Sequence, residues 1–294
     1  MQNNYFIFIL LFISFSCSPK DATKKDSAKG EDVLFQGIEI PICYDYDWQI
    51  ISFDISINGR DTLFAIFDTG ADGVAIPKSL KDNYFKYKDS LCVTAGKYTK
   101  VFTEDVNFVG WNVGRRAPDD DLYAPRVLIG WDFFEGTIME LSFKNKYIRI
   151  LDDTEYLRDY DSISLIRREN GLYIPASISI QEEKIDVLSL IDTGFNNTFI
   201  SDKSLFANLN YVTSEKAYGI YSGYKKFTGY FLLADTIKVG NSYISNKNIC
   251  VTDHNEISLK RKKQKSLLGC SFFENFTLVF DLKKDILYLK PIDN

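Results

Sequence analysis

Two aspartates stand in the same local setting. Asp68-Thr69-Gly70 follows the apolar run Leu63 to Phe67, and Asp192-Thr193-Gly194 follows the run Ile185 to Ile191. A carboxylate at the end of a buried strand needs hydrogen-bond partners or it is strongly destabilising, so core packing alone does not select it. Gly70 and Gly194 supply a tight turn and let another backbone approach closely. Two such turns brought together would set the carboxylates side by side. Like charges about 3 Å apart cannot both ionise, so the pair would hold one proton and present one acid and one base to a single water.

Other chemistries are poorly supplied. The chain of 294 residues has one histidine, His254, which removes most zinc sites and most Ser/His or Cys/His nucleophile systems. Lys and Arg number 35 against 40 Asp and Glu, a net charge of −5, which argues against a nucleic-acid binder. The run Lys260, Arg261, Lys262, Lys263, Lys265 reads as a solvated loop, as do Arg115-Arg116 and Asp119 to Asp121 at the corresponding place upstream. Cys43, Cys92, Cys250 and Cys270 have no CxxC spacing, and they admit three disulfide pairings or free buried thiols.

The elements that must position the aspartates are legible as a repeat. DTGADGVAIPKSL (68–80) is answered by DTGFNNTFISDKSL (192–205), and LIGWDFFEG (128–136) by LLGCSFFEN (267–275). Each of the second pair precedes a strand-like segment, Thr137 to Phe143 and Phe276 to Leu282. Copies of this size imply two domain-sized lobes rather than a solenoid. Ile51, Phe53, Ile55 and Ile57 alternate with polar residues, and Asn58-Gly59 favours a tight turn into the run ending at Asp68. Ala176, Ile178 and Ile180 alternate likewise, with a turn near Glu182-Glu183 before Asp192. Helical periodicity is confined to short stretches around Pro77 to Asp82 and Asp202 to Ala207, so the expected class is all-β.

The doubled Asp-Thr-Gly, with Ile129-Gly130 and Leu268-Gly269 each following its own copy, resembles the aspartic proteases, both pepsin-like and retropepsin-like, over roughly residues 35 to 292. That family is the standard example of two carboxylates sharing a proton, so this property comes with the resemblance. The resemblance implies a bilobal acid-protease fold, with homologous β-barrel-like lobes at 33–155 and 156–294 about a pseudo-twofold axis. It implies an endopeptidase with Asp68 and Asp192 catalytic and Thr69, Gly70, Thr193 and Gly194 supporting the turns. The segments ending at Gly130 and Gly269 would thread the aspartate loops. A peptide or protein is the implied substrate. No metal or organic cofactor is called for, and a monomer suffices because both aspartates lie in one chain.

Some positions leave alternatives open. The family's mobile hairpin is matched by AYGIYSG (217–223) running to DTIKVG (235–240), in the second lobe, while the first-lobe equivalent is Thr94 to Gly110 with Tyr98 near its tip. Either lobe could supply a lid, and Tyr218 and Tyr221 fit ordinary cross-strand packing equally well. Ala71 and Phe195 follow the glycines where a hydroxyl is common. Phe195 would stand bulky beside the aspartates, which admits a catalytically weak or inactive peptide-binding relative. Asp72 matches the DTGAD of retropepsins and could contact substrate. A glycosidase using the two aspartates as acid and base is a further alternative.

The N-terminus carries an address. Tyr5 to Ile13 is an apolar run of signal-peptide length, too short to span a bilayer. Ser14 to Cys17 resembles the lipobox of bacterial lipoproteins, implying a signal peptide over 1–16 and lipidation of Cys17. A flexible tether follows over 17–32. The expected location is the bacterial cell envelope, lipid-anchored, periplasmic or surface-exposed.

Overall fold

The strand Ile50–Ile57 turns Ile51, Phe53, Ile55 and Ile57 to the interior, and Asn58 and Gly59, both at positive φ, fold it back onto Arg60–Asp68. In this computed structural model, the described residues are 37–46, 49–80, 90–103, 106–109, 127–168, 171–208, 216–221, 225–252 and 266–292. They are all-β, with barrel-like sheets and only short helical turns. Gln36–Asn294 forms one compact unit. The signal-like run, Cys17, the tether, His254 and the basic run at 260–265 lie outside the described residues.

One sheet runs, in order, Tyr98–Phe102, Leu91–Ala95, Ile50–Ile57, Arg60–Asp68, Val127–Gly130, Val74–Pro77 and Val106–Val109, with Cys43–Asp45 attached to Ile50–Ile57. A second runs Ile166–Arg168, Gly171–Ile180, Glu183–Asp192, Ser266–Gly269, Phe199–Asp202, Ser242–Thr252, Lys225–Val239 and Lys216–Tyr221. A pairing of Gly171–Ile180 with Lys225–Val239 curls the second sheet back on itself. In both sheets the aspartate-bearing strand lies parallel to the strand that ends in glycine, so Asp68 sits opposite Gly130 and Asp192 opposite Gly269.

A third sheet takes three strands from each half of the chain, all antiparallel: Ile38–Pro41, Tyr147–Leu151, Ile138–Ser142, Phe276–Asp281, Ile286–Pro291 and Asp161–Ser164. Its central pair joins Ile138–Ser142 to Phe276–Asp281, with Glu140 facing Val279. The repeated Phe-Phe precedes each of these central strands in the chain. Phe133 and Phe134 meet edge to face at 4.8 Å, Phe272 and Phe273 at 5.2 Å, and all four are fully buried. Each such ring contributes about 1.5–3 kcal/mol by leaving water.

The short helical stretches expected near Pro77 and Asp202 are 3₁₀ turns, Lys78–Leu80 and Lys203–Phe206. Asp202 caps the second by accepting the Ser204 amide at 2.8 Å. None of Cys43, Cys92, Cys250 and Cys270 is bridged to another of the four. Cys250 and Cys270 are buried, and burial pushes the Cys250 thiol up to about 12, a protonated packing group.

Candidate active site

The two Asp-Thr-Gly turns interlock through their threonines, both fully buried. The Thr69 amide donates to Thr193 Oγ1 at 3.0 Å, and the Thr193 amide donates to Thr69 Oγ1 at 3.0 Å. Each hydroxyl then donates onward into the opposite strand, Thr69 Oγ1 to the Ile191 carbonyl at 3.1 Å and Thr193 Oγ1 to the Phe67 carbonyl at 3.3 Å. Each threonine thus accepts and donates across the same junction, so neither buried hydroxyl is left without a partner.

The carboxylates are held from both sides. Gly70 N donates to Asp68 Oδ1 at 2.8 Å and Gly194 N to Asp192 Oδ1 at 3.1 Å, an Asx-type turn in each case. Each carboxylate also lies against the glycine of the opposite turn. A Cβ built on Gly70 would stand 2.7 Å from both Asp192 carboxylate oxygens, and one on Gly194 would stand 2.6 and 2.8 Å from those of Asp68. Both aspartates are half-buried, which leaves them open to a ligand.

Gly130 and Gly269 pass through the loops that carry the aspartates. The Gly130 amide donates to the Gly73 carbonyl at 2.9 Å, and the next amide, Trp131, to the Ala71 carbonyl at 3.2 Å. In the second loop the Gly269 amide donates to the Thr198 carbonyl at 3.0 Å and the Cys270 amide to the Phe195 carbonyl at 2.8 Å. A side chain at Gly130 would meet the Ala71 carbonyl oxygen at 2.6 Å, and one at Gly269 would collide with the carbonyl of Asn197. Backbone contact, not backbone conformation, is what requires glycine at both places.

Around this junction the two loops differ. Asp132 accepts the Gly73 amide at 2.7 Å, and burial raises its carboxyl pKa even though that hydrogen bond and Lys100 act to lower it. The corresponding position in the second loop is Ser271, whose hydroxyl lies 3.2 Å from the Asn196 carbonyl and 2.6 Å from Gln49 Oε1. Cys270 is fully buried beside the junction, its thiol pushed well above the ordinary range by burial first and then by the charges of Glu274, Asp192 and Asp68. Asp72 is half-buried near Asp132, and its electrostatic influence also raises that carboxyl.

Two aromatic residues singled out in the sequence are engaged in packing. Phe195 is half-buried: its ring lies over Gly269, the residue opposite Asp192, and packs against the cluster of Tyr173, Leu190, Ile200, Cys250 and Leu267. Tyr98 stands next to the hairpin turn, as the sequence suggests, opposite Ala95 across Gly96-Lys97. It packs edge-to-face on Phe133 at 5.2 Å, stacks on Phe134 at 5.5 Å, and donates its hydroxyl to the Phe133 carbonyl at 3.0 Å. The hairpin that carries it turns at Gly96, at positive φ, as the Val239–Ser242 turn does at Gly240. The long hairpin of the described residues is in the second sheet, where Lys216–Tyr221 pairs with Lys225–Tyr230 in unbroken register.

The sequence reading missed Tyr44, Gln49 and Arg167, which reach these loops from other parts of the chain. No local pattern marks them. Among the described residues no group of three or more His, Cys, Asp or Glu side chains is arranged to hold a metal ion. An open depression lined by Pro175, Ser177, Lys184, Asp186, Lys238 and Gly240 lies along the middle of the Gly171–Asp192 hairpin and includes neither Asp68 nor Asp192. Comparison of the chain with protein-family models and with curated proteins finds no match to either.

Proposed function

We propose that the protein is a single-chain aspartic endopeptidase, built as two homologous lobes about a pseudo-twofold axis, with Asp68 and Asp192 as its catalytic pair. The observation that carries this reading is the reciprocal threonine cross-link, in which each Asp-Thr-Gly turn both donates to and accepts from the other. The matched parallel pairing of Asp68 with Gly130 and of Asp192 with Gly269 supports the twofold relation. The six-stranded sheet, with three strands from each half, supports it independently.

In the reaction a water sits between the two carboxyl groups. The ionised aspartate takes a proton from the water as its oxygen attacks the peptide carbonyl carbon, while the protonated aspartate gives its proton to the carbonyl oxygen. The resulting tetrahedral diol collapses: one hydroxyl returns its proton to a carboxylate, the amide nitrogen takes a proton from the other carboxyl, and the C–N bond breaks. Acid and amine products leave the pair again sharing one proton. The glycine amides on Asp68 Oδ1 and Asp192 Oδ1 stay fixed through these transfers, so little reorganisation accompanies the charge movement.

A glycosidase needs its carboxyls held about 5–9.5 Å apart around a sugar, and nothing in that chemistry calls for cross-linked twin turns. Packing of the Phe195 ring against the Tyr173–Leu267 cluster is compatible with a working pair. The test is incubation with a diverse peptide library, with and without a statine-type transition-state mimic. Cleavage is expected from the wild type, inhibition by the mimic, and loss of cleavage in Asp68→Asn and in Asp192→Asn with the fold intact. Wild-type turnover in either variant would overturn the assignment.

A further inference from the structure

We propose, building on the catalytic reading above, that Tyr44 and Arg167 are positioning residues that act across the lobes, each holding through a glutamate the loop that carries the other lobe's aspartate. Glu135 and Glu274 occupy the same place in the repeat, after Trp-Asp-Phe-Phe and Cys-Ser-Phe-Phe. Tyr44 and Arg167 are also equivalent. Each is the middle residue of a three-residue strand, Cys43–Asp45 and Ile166–Arg168, that follows an edge strand of the six-stranded sheet. The residues just before these strands match too: the Ile42 amide donates to the Lys146 carbonyl at 3.0 Å and the Leu165 amide to the Asp285 carbonyl at 2.8 Å.

The two side chains cross over. Tyr44, in the first half of the chain, donates its hydroxyl to Glu274 Oε2 at 2.6 Å in the second. Arg167, in the second half, donates through Nη1 to Glu135 Oε1 at 2.9 Å in the first, with its guanidinium 4.9 Å from the Trp131 ring centre. Both anchors are braced on their own side. The Tyr44 ring is buried and meets Phe143 edge to face at 4.9 Å, while Arg167 also donates to Asp285 Oδ1 and to the Leu282 carbonyl, both at 2.6 Å.

What each glutamate holds is the aspartate loop. The Glu274 amide closes the turn Cys270–Phe273 on the Cys270 carbonyl at 2.9 Å, and the Cys270 amide holds the Phe195 carbonyl, three residues from Asp192. The Glu135 amide closes the turn Trp131–Phe134 on the Asp132 carbonyl at 3.0 Å, and the Trp131 amide holds the Ala71 carbonyl, three residues from Asp68. Gln49 adds a second arm to the Glu274 clasp, with Nε2 3.5 Å from Glu274 Oε1 and Oε1 accepting from Ser271.

The two clasps differ in chemistry. The Arg167–Glu135 pair is part-exposed, with side chains 30% and 50% accessible, so salt screens it. The Tyr44 phenol is buried, and burial, Cys270 and Glu274 together keep its proton on well beyond the ordinary range, so the Tyr44 side of this clasp is a neutral donor. High salt therefore loosens the hold on the Asp68 loop and spares the hold on the Asp192 loop.

The test is hydrogen exchange on the full chain, read by mass spectrometry, for Tyr44→Phe and Arg167→Met, with Glu274→Gln and Glu135→Gln as second variants that keep the anchors. Tyr44→Phe and Glu274→Gln are expected to speed exchange in 192–198 and 266–274 by about tenfold and to leave 68–74 and 127–135 unchanged; Arg167→Met and Glu135→Gln are expected to do the reverse. In peptide hydrolysis each variant should lose about tenfold in kcat with KM held within about twofold. Uniform changes, or changes confined to the altered anchor's own lobe, would overturn the proposal. A crossed exchange pattern in a wild type that cleaves no peptide would instead overturn the enzymatic reading and leave the crossed hold standing.

Discussion

Gly70 and Asp192 touch: the carboxylate of the second aspartate lies where the first turn's glycine has no side chain, and Gly194 receives Asp68 in the same way. Neither glycine is among those at positive φ, so the requirement is one of space. Gly70→Ala should displace the Asp192 carboxylate, and Gly194→Ala that of Asp68. A shift of about 1 Å costs on the order of 10²-fold in turnover. We expect kcat to fall by at least that factor in each variant, with near-native circular dichroism. Near-wild-type turnover in either would show that the carboxylates do not need this contact.

The threonine cross-link should govern stability as well. Thr69→Val and Thr193→Val keep shape but strip a hydroxyl that serves a buried amide and a carbonyl across the junction. Each should cost about 1–3 kcal/mol in urea denaturation. The double variant should cost less than the two singles together, because they share partners. Serine at either position should recover most of the loss.

Glu140 predicts a pH-dependent effect far from the aspartates. It is 7% exposed in the six-stranded sheet, and burial raises its carboxyl pKa above the ordinary 4.5 despite Arg149 and the Tyr147 hydroxyl at 3.2 Å. A carboxyl whose folded pKa is raised stabilises the native state fully below its unfolded value, and that contribution is lost as pH rises through the folded one. Glu140→Gln should therefore gain stability relative to wild type at pH 7.5 and lose the advantage near pH 4. A urea midpoint difference that is flat with pH would remove burial as the dominant cause.

Cys17 carries the anchoring proposal through the run Ser14 to Cys17. Cys17→Ala should move the protein from the membrane fraction to the soluble one. Wild-type protein without bound lipid by mass spectrometry would exclude acylation.

The residues that read correctly from sequence are those whose constraints are local. Asn58-Gly59 demanded a tight turn, and both residues are at positive φ. The second turn falls at Gln181 and Glu182, both at positive φ without any glycine or asparagine, one residue earlier than the polar pair suggested. Tyr98 lies beside its hairpin turn as Ala-Gly-Lys-Tyr suggests, but the packing of its ring was not legible, because Phe133 and Phe134 lie far along the chain. The packing of Phe195 was illegible for the same reason: its ring meets Gly269 and residues scattered from Tyr173 to Leu267. Tyr44 and Arg167 were invisible because their partners lie 230 and 32 residues away, and no periodicity encodes such pairs.

The central pairing of Ile138–Ser142 with Phe276–Asp281 also sets an order of assembly during synthesis. The first half of the chain leaves the ribosome with the edge of Ile138–Ser142 unpaired, and its hydrogen-bonding groups wait for a strand near the other end of the molecule. An open edge of this kind is a template for pairing with another nascent copy. Translocation of the chain as an extended thread, followed by folding only after the last strands have arrived, would shorten that wait, whereas a nascent chain stalled after Leu151 would present its edge to every neighbour. The seam that unites the finished molecule is thus an open, pairing-competent edge in its unfinished form.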